Sequence, residues 1–278
     1  MRKLIMGLVV IMGVATAWAQ NAGERPQGDT IEVKSEKMRR NIKCVVIVPE
    51  HYFDAELQDE QYNVIYLLHG AWGKYSDWPK KVDLDDLASE KSVIFVCPDG
   101  QDSWYLDSPI DPAFQFETFI SKELPQYVDT HYRTLRKPIF RAITGLSMGG
   151  HGALYNAFRH PEVFGSCGSM SGGVNFANFP NRWKLDLRLG KYESNKALWE
   201  KHTVMSQLDK LKPGQHIIID DGTDDLFYND NNELHKALLE RKVNHDYTVR
   251  PGNHNWDYWT NAIEYHVLFF SMVFDNAE

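Results

Sequence analysis

Three features of the sequence predict an α/β fold with a mostly parallel central sheet and helices on both faces. Apolar runs of strand length alternate with helical segments from residue 63 to the end. At Gly145-Leu146-Ser147-Met148-Gly149 a strand passes directly into a helix through a tight turn. No repeat, low-complexity tract or linker divides the chain.

The elements follow in order. Residues 20–29 are a polar lead-in containing Gly and Pro, and 30–278 form a single domain. Residues 30–34 and 42–48 alternate or run apolar, which predicts an antiparallel pair at a sheet edge. Residues 50–61 are polar and loop-like. Residues 63–68 are a buried strand ending in His69-Gly70, 83–91 a short helix, and 92–97 a second buried strand ending in Pro98-Asp99-Gly100. Asp111-Pro112 has the form of a helix start, with Asp as N-cap and Pro in the first turn. That helix should run through Phe116, Phe119 and Ile120 until Pro125 kinks or ends it. Residues 139–144 are the strand before the tight turn. Residues 150–160 are the helix after it, with Ala153, Leu154, Ala157 and Phe158 at helical spacing. Strands at 164–170, 216–220 and 246–249 then alternate with a Gly/Asn/Pro-rich stretch to Leu189 and helices at 196–211 and 232–241. Residues 256–274 are apolar on most faces and predict a largely buried closing helix.

Composition is that of a globular chain, 43% hydrophobic and 24% charged over 278 residues. Arg2 and Lys3 precede an apolar run to about Ala17, and Ala17-Trp18-Ala19 has the small-x-small form of a cleavage site. Residues 1–19 therefore read as a signal peptide, with a secreted or periplasmic location; the competing reading is an uncleaved anchor. The formal charge of −8, without a basic block, argues against nucleic acid or anionic membrane as partner. Cys44, Cys97 and Cys167 form no C-x-x-C pair and sit in or beside apolar runs, as buried thiols do. No histidine pair has zinc-ligand spacing and no glycine-rich phosphate loop occurs, so neither metal nor cofactor is expected.

The tight turn carries chemistry. G-x-S-x-G is the nucleophile elbow, which stands a serine hydroxyl clear of the carboxyl edge of a sheet. A serine hydroxyl needs a base, and the base needs an orienting partner. In this class of fold such groups gather just past strand ends. Gly222-Thr223-Asp224-Asp225 follows one strand and Pro251-Gly252-Asn253-His254 the next. The order Ser, Asp, His is that of the α/β-hydrolase fold. Of eleven histidines, His254 stands on a glycine-containing loop after a strand, whereas His235, His245 and His266 lie on or beside helices. Spacing leaves Asp224 and Asp225 equally placed, with Asp220 and Asp221 nearby. Ester chemistry also needs oxyanion donors: the backbone N–H of Met148, after the nucleophile, and that of Ala71 in His69-Gly70-Ala71-Trp72-Gly73. Trp104 and Tyr105, in a polar loop after a strand, are candidate substrate-binding residues.

Tyr66-Leu67-Leu68-His69-Gly70, Pro98-Asp99-Gly100 with Ser103-Trp104-Tyr105, Gly145 to Gly150, Gly222-Thr223-Asp224-Asp225 and Gly252-Asn253-His254-Asn255-Trp256 stand in register over roughly residues 30–275. In these motifs the chain resembles the esterase D or putative esterase family of α/β-hydrolases. That family includes feruloyl and acetyl xylan esterases, tributyrin esterases, S-formylglutathione hydrolases and mycolyltransferases. The resemblance implies Asp225 as the acid, as the fourth residue of a G-T-x-D run, and supports Ala71 and Met148 as oxyanion donors. His151 departs from it, where an aromatic is expected. A secreted serine carboxylesterase follows, acting through Ser147, His254 and Asp225 on short acyl or hydroxycinnamoyl esters, feruloyl or acetyl, borne on a carbohydrate. The rivals are an acyltransferase on the same residues, a thioesterase of the S-formylglutathione type, and a non-catalytic carbohydrate-binding protein.

Overall fold

The computed structural model describes residues 28–277, so the expected signal peptide and all but the end of the lead-in lie outside the described residues. Eight strands form one sheet in the order β1-β2-β4-β3-β5-β6-β7-β8. They are β1 (Asp29–Ser35), β2 (Arg40–Ile47), β3 (Asn63–Leu68), β4 (Val93–Pro98), β5 (Arg141–Gly145), β6 (Ser166–Met170), β7 (His216–Gly222) and β8 (Asp246–Arg250). The expected antiparallel pair, β1 with β2, lies at one edge; β2 also meets β4 antiparallel, and the rest are parallel.

Side chains of the central strands alternate between two cores. Val64, Tyr66 and Leu68 face one with Ile94, Val96 and Ile143, while Ile65 and Leu67 face the other with Phe95 and Ala142. Helices cover both faces. In chain order they are α1 (Asp77–Lys81), α2 (Leu84–Lys91), α3 (Phe116–Thr118), α4 (Leu124–His131), α5 (Met148–Arg159), α6 (Asp186–Leu189), α7 (Tyr192–Lys201), α8 (Tyr228–Glu240) and α9 (Trp256–Asp275). Leu87 and Ala88 of α2 and Ile263, Val267 and Phe270 of α9 pack on the second core; Leu154 of α5 and Leu234 of α8 pack on the first. This is the α/β-hydrolase arrangement.

Two expectations are corrected. No helix starts at Asp111-Pro112. Ser108 Oγ accepts the Asp111 N–H (3.0 Å), and the Asp111 carboxylate takes the Ala113 N–H and Arg188 (2.6 Å). The acid is thus used to close a turn and hold a distant arginine, and helix begins at Phe116. Pro125 neither ends nor interrupts the helical run. A π-helical turn at Phe119–Glu123, in which Leu124 N–H donates to the Phe119 carbonyl, widens the backbone just before the ring that cannot donate. Helix α9 is buried along most of its length, but Tyr265, Leu268 and Met272 are 47%, 50% and 57% exposed. All three cysteines are buried and free; Cys44 and Cys97 sit on adjacent strands but in opposite cores, so they cannot bridge.

Candidate active site

The elbow is built by close backbone approach. Leu146 N–H donates to the Leu68 carbonyl (3.3 Å) and Ser147 N–H to the Met170 carbonyl (2.9 Å), tying the turn to β3 and β6. Ser147 has φ +56° and ψ −117°, a conformation that non-glycine residues rarely hold. Glycine is required alongside it, since a Cβ at Gly149 would lie 2.3 Å from the Leu68 carbonyl oxygen. Gly149→Ala should therefore lower stability by ~3 kcal/mol, through backbone overpacking rather than lost chemistry. A chemical denaturation midpoint unchanged from wild type would refute that packing argument.

Around Ser147 the ends of β5, β7 and β8 converge. His254 Nε2 lies 2.9 Å from Ser147 Oγ, and His254 Nδ1 lies 2.8 Å from Asp225 Oδ2. Against a carboxylate Nδ1 must carry the proton, so Nε2 is left to accept the serine O–H. Asp225 Oδ1 accepts the Phe227 N–H (2.8 Å), which fixes the carboxylate plane. The Asp225 side chain is fully buried, Ser147 is 9% exposed, and the His254 ring is partly open. Phe227 and Trp259 meet that ring edge-on at 5.4 and 4.9 Å and hold its orientation. Phe227 was not legible as a site residue: it sits in an ordinary pre-helix turn, and only its contact with the histidine singles it out.

The neighbouring acids separate by contact. Asp224 is exposed. Asp220 is buried against Arg250 (2.7 Å) and the Tyr258 hydroxyl. Asp221 is fully buried, accepts the Gly222 N–H (2.8 Å), and leaves Oδ2 without a partner among the described residues. Burial, with the negative charge of Asp225 nearby, pushes its carboxyl up to about 8. A carboxyl whose folded pKa lies above its unfolded value of about 4 binds its proton more tightly in the folded state. Its contribution to stability is complete below about pH 4 and is lost as pH rises toward 8. Asp221→Asn should thus match wild type near pH 4 and exceed it by several kcal/mol near pH 8. Parallel melting curves across that range would contradict it.

The first oxyanion candidate, Met148 N–H, is the first of α5 and has no acceptor within its own helix. The second lies in the loop after β3, where a Cβ at Gly70 would stand 3.4 Å from Ser147 Cβ. No acceptor takes the Ala71 N–H among the described residues. His69 staples this loop: its Nε2 accepts the Gly100 N–H (2.8 Å), leaving Nδ1–H to donate to the Gly70 carbonyl (2.7 Å).

Trp104 and Tyr105 do not line an open wall. They are 1% and 0% exposed, both with left-handed backbone (φ +56° and +55°). Trp104 packs on His151, Phe176 and Trp183, and Tyr105 donates its hydroxyl to the His69 carbonyl (3.1 Å). Three distant segments supply those contacts, so a polar local sequence could not announce the burial. His151 occupies the expected aromatic position as packing, stacked on Tyr155 at 5.3 Å, with burial pushing its imidazole down to about 4. Phe227, which meets His254, is joined instead by Phe179 and Trp183, the three in mutual contact at 5.2 to 5.5 Å. Among the described residues no group of three or more His, Cys, Asp and Glu could hold a metal ion.

Residues 35–270 match the putative esterase family. An acetyl esterase of Caldicellulosiruptor saccharolyticus is 25% identical over 262 residues, 88% of this chain and 98% of that protein. Among solved structures, a fluorophosphonate-binding serine hydrolase of Staphylococcus aureus superposes with a TM-score of 0.77 at 20% identity, covering 87% of this chain and 97% of that one. A ferulic acid esterase superposes with a TM-score of 0.76 at 23% identity, covering 90% of this chain and all of that one.

Proposed function

The chain belongs to the putative esterase family and is a serine hydrolase acting on carboxylic esters; from that premise we propose that Ser147, His254 and Asp225 are its catalytic triad and that it deacylates carbohydrate. The observation that carries this reading is the unbroken hydrogen-bond chain from Asp225 Oδ2 through His254 to Ser147 Oγ. Ser147 Oγ attacks the ester carbonyl while His254 Nε2 takes its proton and then gives it to the departing alcohol. Asp225 holds the imidazole tautomer and stabilises the imidazolium. The N–H groups of Met148 and Ala71 receive the oxyanion. A water deprotonated by His254 then releases the acid and restores the serine.

The substrates are short acyl or hydroxycinnamoyl esters, acetyl and feruloyl among them. The acetyl esterase relative favours a short acyl group. The half-buried Phe179 and Trp183 beside Phe227 supply an apolar aromatic cluster suited to an aromatic acyl group. Arg2, Lys3, the apolar run and Ala17-Trp18-Ala19 support export, away from the glutathione pool. The test is a panel of acetylated xylan, feruloylated arabinose, S-formylglutathione and p-nitrophenyl acetate, with and without an acceptor sugar. A sugar ester should have the highest kcat/KM of the natural substrates. Preference for S-formylglutathione, or acyl groups recovered on the acceptor sugar instead of as free acid, would overturn the reading.

A further inference from the structure

The sheet ends at β8, and among the described residues nothing pairs with its outer edge. The Arg250 carbonyl accepts the Thr223 N–H from the β7 side. By alternation, the backbone groups of Asp246, Thr248 and Arg250 point at β7, and those of Tyr247 and Val249 point outward. The opposite edge is guarded: β1 carries exposed Glu32 and Lys34. Strand β8, Asp-Tyr-Thr-Val-Arg, has neither lysine nor proline to deter pairing.

Beside this free edge runs an apolar groove of about 730 Å³ between the sheet and α9. Thr248, Ile218, Tyr265, Leu268 and Met272 help to line it. Tyr265, Leu268 and Met272 recur at helical spacing and form the exposed apolar stripe noted above. A bare strand edge and a bare apolar stripe thus lie side by side, remote from Ser147 in the fold, since the groove also reaches His216 and Ile139 at the amino ends of β7 and β5.

We propose that this surface is the interface of a homodimer, with a two-fold axis at Thr248. Antiparallel pairing about Thr248 opposes Tyr247 to Val249 of the second copy, the residues whose backbone groups are free. It also opposes Asp246 to Arg250 of the second copy, placing opposite charges together at both ends of the ladder. Asp246 is exposed, and the Arg250 side chain, bonded to Asp220 through Nη2, is partly exposed. A shift of two residues in either direction preserves the backbone bonding pattern but loses both charge pairs. One of those shifts also sets Pro251, which has no N–H, opposite Tyr247. The strand is therefore complementary to itself in one register, which selects a second copy as the occupant. The same axis brings the two α9 stripes together beneath one continuous sheet.

Sedimentation velocity on the full mature chain tests the state, and a cysteine tests the register. The wild type should sediment as a dimer at tens of micromolar. Leu268→Lys combined with Met272→Lys should raise the dissociation constant by on the order of 100-fold while p-nitrophenyl acetate hydrolysis is kept. Thr248→Cys should form a covalent dimer under oxidised glutathione, because residues facing each other in a non-hydrogen-bonded pair lie about 4.5 Å apart, within disulfide reach. Glu32→Cys, on the guarded edge, should not, and the three native cysteines are buried. A monomeric wild type, a dimer untouched by the two lysines, or cross-linking of Thr248→Cys no faster than of Glu32→Cys would each overturn the proposal.

Discussion

Ser147→Ala is expected to lower kcat by a factor of roughly 10⁵ to 10⁶, leaving only what oxyanion donors and binding contribute. The fold should survive. The Ser147 side chain caps no helix N–H, and alanine demands no space that serine did not occupy. The competing serines are poorly placed. Ser169 and Ser171 are fully buried, their hydroxyls have no hydrogen-bond partner among the described residues, and neither meets a histidine. Among the described residues, Ser147 alone is both 2.9 Å from a histidine nitrogen and seated on a strained turn at a strand end. A fluorophosphonate probe followed by peptide mass spectrometry should find label on Ser147 and lose it in the alanine variant. Label retained after the substitution would mean a different nucleophile, whatever the residual rate.

Asp225→Asn should reduce kcat by about 10⁴ with little change in KM, while Asp224→Asn should stay within about tenfold of wild type. The reason is the tautomer. An asparagine amide beside His254 Nδ1 offers a donor where the carboxylate offered an acceptor. The ring then carries its proton on Nε2, where it cannot accept one from Ser147. The asparagine carbonyl can still take the Phe227 N–H now held by Asp225 Oδ1, so the loop should keep its shape. Asp224 is exposed, and its contribution to the loop is a backbone N–H to the Gly252 carbonyl (2.9 Å), which a side-chain change leaves in place. Both variants should be compared by steady-state kinetics and thermal melting together. Equal kinetic losses at unchanged melting temperature would show that the carboxylate next to the histidine has been misidentified.

Much of the molecule is legible before any coordinates. Strand β3, the elbow with α5, and the sequence of strand ends that present Ser147, Asp225 and His254 follow from local apolar runs, helical spacing and glycine at the turns. These are short-range signals, because a strand or helix needs only its own residues to show its period. The same signals mislead where a side chain is claimed by something distant. Asp111 has the form of an N-cap but is taken by Arg188, 77 residues on. Trp104 lies in a polar stretch but is enclosed by His151, Phe176 and Trp183. The apolar pattern of α9 marks residues that avoid water, yet it cannot say that the sheet runs out before Tyr265, Leu268 and Met272 are covered.

By itself, then, the sequence determined the order of the elements, the turn that carries the candidate nucleophile and the short list of acids and histidines near it. The tertiary structure decided which acid meets His254, that Phe227 and Trp259 meet its ring edge-on, and which aromatics join Phe227. The physical reason is separation along the chain. His254 meets Asp225 across 29 residues and Ser147 across 107, and a hydrogen bond accepts errors of only a few tenths of an ångström. Periodicity specifies which way a side chain leaves its own strand or helix; whether two such side chains meet at bonding distance depends on how the sheet stacks every strand between them.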